Sequence, residues 1–189
     1  MDKLLAFFNS TAPLSDRLLE LIPQVFNLDE LKKGDFFIKE GQYAKEIAFL
    51  ETGMVRAFYV NNKGKEYNKT FFSAPSIIGS YASIISKQKN KVPQQALTDC
   101  KIWKAPFYKI EELSKGNNEI ERLRRIIAES YFLNNEKKEI EMAMLDADQR
   151  YAILQKEFPG IELKIPQYHI ASYLGISATQ LSRIRSKLS

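Results

Sequence analysis

Short apolar or alternating stretches, separated by single glycines, dominate the first hundred residues. This pattern is typical of short strands joined by turns in an all-β barrel or sandwich. The clearest pair is Met54–Val60 and Glu66–Phe72. The connecting residues include Asn61 and Gly64, which tolerate the positive φ of a hairpin loop, so a β-hairpin is predicted. Further strands are predicted at residues 36–38, 47–50, 94–98 and 102–104, after a helical segment at 15–22.

The apolar spacing becomes helical after Pro106. A short helix is predicted between Phe107 and Gly116, and a long one over about 118–145. Along the long helix an apolar seam recurs at roughly heptad spacing: Leu123, Ile126, Leu133, Ile140 and Met144. Ser130 and Lys137 interrupt this seam. Two interpretations therefore remain open, a self-association helix, favoured by its length, and a helix packed on its own barrel.

The remaining residues predict three more helices. Asp146 and Gln149 resemble a capping box, so one helix is expected from Asp146 to about Phe158. Further on, Pro166 is placed to open a helix, Gly175 to end it, and Ser177 to cap the next. Small or apolar side chains fall where two crossed helices would bury them: Ile170, Ala171, Leu174, Ile176, Leu181 and Ile184. This spacing predicts a helix-turn-helix.

Charge is concentrated at the same end of the chain. The whole sequence carries 28 Lys and Arg against 23 Asp and Glu, a net charge of +5. Residues 163–189 hold four basic residues and no acidic one, which leaves the rest close to neutral. Candidate DNA-contacting side chains are Ser177, Ala178, Thr179, Gln180, Ser182, Arg183, Arg185 and Lys187. Short polar side chains permit close approach, and the basic ones suit phosphates and guanine edges, so duplex DNA is favoured over a purely structural hairpin.

The single cysteine and single histidine exclude several classes of site. Cys100 alone permits no intramolecular disulfide and no multi-cysteine cluster, and it is expected to be buried. His169 lies in the predicted helix-turn-helix and is expected at the surface or facing a phosphate. The sequence lacks the side chains that metal catalysis and histidine-based nucleophilic catalysis require. No metal site and no enzyme activity are therefore expected. Without a membrane span or a signal peptide, a reducing cytoplasm is the expected compartment.

Nearly the whole chain resembles the Crp/Fnr family of bacterial transcription regulators. The segment LKKGDFFIKEGQYAKEIAFLETGMVRAFYVNNKGKEYNKTFF is similar to the first strands of the family's cyclic-nucleotide-binding β-roll. LDADQRYAILQKEFP resembles the helix that follows the family's dimerisation helix. The resemblance implies a two-domain α+β protein. Its parts would be a double-stranded β-helix (jelly-roll) effector domain over residues 1–115, a dimerisation helix over 116–145 and a helix-turn-helix DNA-binding domain over 146–189.

The resemblance also implies a homodimer that binds a pseudo-palindromic DNA operator, with RNA polymerase as a further partner. Arg183 matches the family's frequent guanine-reading arginine. Ala178 and Thr179 depart from the Arg-Glu pair of well-known members, so their operator cannot be assumed. The sequence ends with the second helix of the motif, so we expect no wing strands, which some relatives carry, after it.

The effector pocket departs from the family pattern at two places. Members that bind cyclic nucleotide use a Gly-Glu pair on the ribose and an Arg-Ser or Arg-Thr pair on the phosphate. Here Gly79 is followed by Ser80, and the segment KQKNKVP directly before Gln94 contains no arginine; Lys91 and Lys89 are the available bases. Cyclic AMP is therefore not expected in the usual way, and neither is a cofactor. A different small effector, bound near Gly79, Ser80 and Lys91, and no effector at all remain open.

An alternative function remains open. The same fold would serve as a small-ligand-binding or protein-interaction module that does not bind DNA. Salt-dependent affinity for duplex DNA distinguishes the two functions.

Overall fold

The computed structural model describes residues 1–188. Its N-terminal half contains two antiparallel four-stranded sheets, one in the order β1-β8-β3-β6 and the other in the order β2-β7-β4-β5. The strands are β1 (Asn27–Leu31), β2 (Phe36–Ile38), β3 (Glu46–Thr52), β4 (Met54–Val60), β5 (Glu66–Ser73), β6 (Ser76–Ile78), β7 (Gln94–Ala96) and β8 (Cys100–Pro106). Successive strands alternate between the two sheets, except for the β4–β5 hairpin, as in the predicted jelly roll.

Nine α-helices and one short 3-10 helix (Ile22–Gln24) accompany the sheets within residues 1–188. The α-helices are α1 (Asp2–Thr11), α2 (Asp16–Leu21), α3 (Tyr81–Ser86), α4 (Phe107–Ser114), α5 (Asn118–Met144), α6 (Ala147–Glu157), α7 (Ile161–Lys164), α8 (Gln167–Leu174) and α9 (Ala178–Leu188). The long helix and the helix-turn-helix pair α8–α9 lie where the sequence predicts them. The sequence pattern did not predict α1, α3, α7, β1 or β6.

Local signals account for the elements that were predicted. In the β4–β5 hairpin the Asn61 side chain accepts hydrogen bonds from the backbone N–H groups of Lys63 and Lys65, and Gly64 takes a φ of 74°. This is the asparagine-glycine turn chemistry of a hairpin loop. At the start of α6, Asp146 and Gln149 form the predicted reciprocal capping box.

Three hydrophobic clusters stabilise the fold. Leu50, Val55, Ile78 and Ile102 belong to the cluster that joins β3, β4, β6 and β8. A second cluster places α1, α2 and the start of α5 on the outer face of β3. A third unites the helix-turn-helix with the β4–β5 face of the roll, and it includes Met54, Phe71 and Leu97. The C-terminal helices therefore share a core with the sheets instead of forming a separate one.

The second cluster corrects part of the predicted α5 seam. Leu123 is buried and Ile126 is half-buried, because α1 and α4 pack against the first turns of α5. Leu123 is therefore a core residue of its own subunit and was wrongly predicted as part of an intermolecular seam. The later positions differ: Leu133, Ile140 and Met144 are 60 %, 57 % and 78 % exposed.

Gly53 connects β3 to β4 at a point where no side chain fits. Its φ is 97°, and a Cβ atom there would lie 2.5 Å from the Asp99 carbonyl oxygen and 2.6 Å from the Cys100 Sγ. Gly64 also has a positive φ, but nothing lies within 4 Å of its Cβ position. A left-handed backbone is common to both positions, whereas steric overlap with a side chain occurs only at Gly53. Comparing substitutions at the two positions therefore distinguishes these two costs.

We expect Gly64→Ala to lower the free energy of unfolding by about 1 to 2 kcal/mol, the left-handed backbone cost. Gly53→Ala should lower it by a further 1 to 3 kcal/mol or so, because backbone atoms must also move. Urea unfolding of both variants measures the difference. Equal losses would contradict the close approach at Gly53.

Candidate nucleic-acid interface

The helix-turn-helix is built by caps at both sides of its turn. Helix α8 ends at Gly175, whose φ of 70° is left-handed. Ser177 then caps α9 reciprocally with Gln180: the Gln180 N–H donates to the Ser177 Oγ (3.1 Å), and the Ser177 N–H donates to the Gln180 Oε1 (3.0 Å). Each cap satisfies backbone groups that would otherwise lack partners at a helix end. The turn is therefore fixed by local chemistry, as the sequence predicts.

Most of the predicted DNA-contacting side chains lie on one exposed face. Leu181 and Ile184 point into the core. The exposed residues between and around them are Ser177, Ala178, Thr179, Gln180, Ser182, Arg183 and Lys187. Within this set the side chains are short except for Gln180 and the two basic residues, so the helix backbone can approach a surface closely.

The last turns of α9 are less open than predicted. Arg185 is half-buried, and its Nε lies 3.6 Å from the carboxylate of Glu162 on α7. The Nζ of Lys187 lies 3.6 Å from the carboxylate of Asp148 on α6. Arg185 therefore faces outward only in part, because the preceding helices bring acidic groups beside the end of α9.

A buried arginine joins the β-roll to the first helix of the motif. Arg56 of β4 is 4 % exposed and donates to the Gln95 Oε1 (2.6 and 3.0 Å) and to the Glu66 carboxylate (2.5 Å). Its guanidinium also lies over the Phe58 ring, 3.8 Å from the centroid. A buried guanidinium requires such partners, because an unpaired charge is costly to bury. Sequence reasoning missed this residue, although an arginine within the apolar run MVRAFYV was a visible signal.

His169 of α8 completes this junction and is not at the surface, contrary to the prediction. The residue is 5 % exposed, and its Nδ1 lies 3.4 Å from the Arg56 Nη1 and 3.3 Å from the Asn68 Nδ2. Since arginine can only donate, Nδ1 accepts and the ring is neutral. Burial, and then the charge of Arg56, lower the pKa of His169 to about 4. His169 is buried because α8 packs on β5, and no local sequence pattern encodes that contact.

Two further bonds hold α8 against β5. The Asn68 side chain donates to the carbonyl of His169 (2.9 Å), and the Asn68 N–H donates to the Ser172 Oγ (3.0 Å). Ser172 in turn donates to the carbonyl of Glu66 (3.2 Å). The helix-turn-helix is thereby fixed to the β4–β5 hairpin by hydrogen bonds as well as by the shared core.

Two of the predicted effector residues, Gly79 and Ser80, lie at the start of α3, and the third, Lys91, lies between α3 and β7. Both backbone polar groups of Gly79 are bonded to the buried side chain of Gln94, at 2.9 Å for the N–H and 3.0 Å for the carbonyl. Ser80 precedes the first residue of α3, and Lys91 is exposed. Gln94, which sequence reasoning did not single out, thus bonds to the backbone that a ligand would approach here.

The remaining chemistry-bearing residues are structural. Cys100 is buried, as expected, and burial raises the pKa of its thiol, which disfavours the reactive thiolate. Over residues 1–188, no three His, Cys, Asp or Glu side chains are grouped to hold a metal ion. In that same part of the chain, no helix has the length and apolar character needed to cross a membrane.

Comparisons with known proteins agree with this architecture. Residues 28–117 match the cyclic nucleotide-binding domain family. The transcriptional activator protein anr of Pseudomonas aeruginosa is 23 % identical over 93 % of this chain and 78 % of its own length.

Solved structures show the same fold. FixK2 from Bradyrhizobium japonicum superposes with a TM-score of 0.74 at 16 % identity, covering 87 % of this chain and 84 % of that one. A protein assigned to the crp/fnr family from Eubacterium rectale gives 0.71 at 18 % identity, covering 90 % and 82 %.

A β-roll, a long connecting helix and a C-terminal helix-turn-helix make up an architecture that these solved structures share. The chain is thus similar over most of its length to transcription regulators of the Crp/Fnr type.

The neutral state of His169 makes a pH dependence of stability testable. An unfolded histidine titrates near pH 6.5 and the folded one near 4, so between these values the unfolded chain binds more protons. The free energy of unfolding should therefore fall as the pH drops from 6.5 to 4, by up to about 1.4 kcal/mol per unit.

Urea unfolding across this pH range, compared with His169→Gln, isolates the effect, because this is the chain's only histidine and the carboxylates are common to both proteins. Parallel stability curves for the two proteins would contradict the assignment.

Proposed function

We infer that the protein is a non-enzymatic cytoplasmic regulator that binds a pseudo-palindromic operator as a homodimer. The observation that carries this is the exposed face of α9, with Arg183 among short polar side chains, on a motif firmly fixed to the β-roll. In such dimers two recognition helices enter successive major grooves about 34 Å apart. Arg183 would read a guanine edge, and Ser177, Gln180 and Lys187 would contact phosphates.

The second half of α5 supports the dimer. Phe132, Leu133, Ile140 and Met144 are exposed large apolar side chains on a helix about 40 Å long. Lys137, which interrupts the seam in sequence, bonds to Glu157 of α6 and Glu141 instead. A row of exposed apolar side chains along one helix is typical of an interface, and a second copy of α5 would cover it.

The β-roll would act as an effector domain that does not take cyclic AMP in the usual way. Gln94 already satisfies the backbone of Gly79, and Ser80 offers no carboxylate. If an effector binds near Gly79, Ser80 and Lys91, it has a different chemistry. RNA polymerase is the expected protein partner on DNA.

Selection of bound duplexes from a random pool, with and without small metabolites and cyclic nucleotides, tests the whole proposal. It reports DNA binding, the symmetry of the site and any effector dependence. Failure to enrich any sequence, together with no salt-dependent affinity for DNA, would favour the non-DNA interaction module.

Arg183→Ala should reduce affinity for the selected operator by about 1 to 3 kcal/mol and relax the preference at one base pair per half-site. Fluorescence anisotropy with operator and scrambled duplexes measures both. Lys187→Ala is the comparison, and it should weaken binding to both duplexes alike. Equal losses on the two duplexes for Arg183→Ala would refute its role in base recognition.

Leu133→Asp should convert the dimer into a monomer, because it places a charge in the proposed α5 interface. Asn135→Asp makes the same charge change two residues on, nearly opposite around the helix, and should leave the dimer intact. Sedimentation velocity at micromolar concentration distinguishes them. A monomeric wild-type protein would contradict the interface.

A further inference from the structure

A cleft of about 550 Å³ lies between the β4–β5 hairpin and the helix-turn-helix. The hairpin contributes Lys65 and Tyr67 to its wall, and the motif contributes Tyr168 from α8 with Ser177 and Gln180 from the start of α9. The cleft therefore joins a surface of the β-roll to the first turn of the proposed recognition helix.

The charge of this cleft is positive. Lys65 is exposed, and its Nζ lies 5.0 Å from the centre of the Tyr67 ring, which holds the ammonium group beside the opening. Glu66 is the one acidic residue among those that line the cleft, and its carboxylate is engaged by Arg56 at 2.5 Å. The acidic charge next to Lys65 is thus already neutralised.

The position of the cleft is set by the docking of α8. Asn68 holds His169 and Ser172, so the hairpin cannot shift away from α8 without breaking buried bonds. Ser177 and Gln180 lie next to Ala178 and Thr179, the first residues of the outward face. A DNA strand against that face would run along the mouth of the cleft, beside Lys65.

We propose that this cleft binds the sugar-phosphate backbone of operator DNA, so that the β-roll itself contributes a phosphate contact through Lys65. Tyr67 and Tyr168, both exposed aromatic side chains, flank the path of the strand. The proposal rests on the proposed function and extends it: the DNA surface of each subunit continues from the helix-turn-helix onto the hairpin of the other domain.

Lys65→Ala tests this against Lys63→Ala, which removes the same charge two residues away at the hairpin turn, outside the cleft lining. Anisotropy titrations use the selected operator and a scrambled duplex at several salt concentrations. Lys65→Ala should weaken binding about three- to tenfold on both duplexes and reduce the salt slope by about 0.9, one phosphate contact. Lys63→Ala should change affinity less than twofold.

Circular dichroism and thermal unfolding verify that both variants fold, as expected for exposed positions. Equal behaviour of the two variants, or tighter binding by Lys65→Ala, would overturn the cleft contact. In either case the proposed function stands if the wild type binds and Arg183→Ala loses base preference. If the wild type binds no duplex, the proposed function itself fails.

Discussion

The buried guanidinium of Arg56 constrains the relation between the two parts of the molecule. A charge at this depth must be met by fixed acceptors, and here they come from two strands: Gln95 on β7, and Glu66 and Asn68 on β5. The fourth neighbour, His169, belongs to the helix-turn-helix. Separating the helix-turn-helix from the β-roll would remove the His169 acceptor and leave a buried charge short of a partner. The contact therefore links the two parts of the molecule. The aromatic stack of Phe71 on Tyr173 and the shared core close the interface around it.

This junction shows why the ring of His169 must stay neutral. A protonated imidazole would place a second positive charge 3.4 Å from Arg56 and would lose the acceptor that the arginine faces. Sequence reasoning placed the residue at the surface because it considered α8 alone, where position 169 precedes the buried Ile170. What decides its burial is a partner more than a hundred residues away, and no spacing within a helix can report that.

Elements with their own local signals were predictable, and elements held by distant contacts were not. Asn61 and Gly64 define the hairpin, and Gly175 and Ser177 define the turn of the motif, within a few residues each. By contrast, β1 has a mostly exposed pattern and exists because it pairs with β8 across the whole domain. The same limit applies to the α5 seam: heptad spacing marks apolar positions, but only the packing of α1 decides that Leu123 is used within the subunit while Leu133 stays free.

In the folded protein, acidic side chains from outside the basic C-terminal segment lie beside two of its basic residues. Counted along the chain, residues 163–189 contain no acid, yet Glu162 lies just before that window and approaches Arg185, while Asp148 approaches Lys187 from α6. Such exposed pairs contribute little to stability, and they offset part of the positive charge at the end of α9. Two further cationic groups are Arg183 on the helix and Lys65 on the hairpin, which lines the same cleft as Ala178 and Gln180. A DNA-facing potential assembled from two domains requires their fixed orientation, which the Arg56 junction supplies.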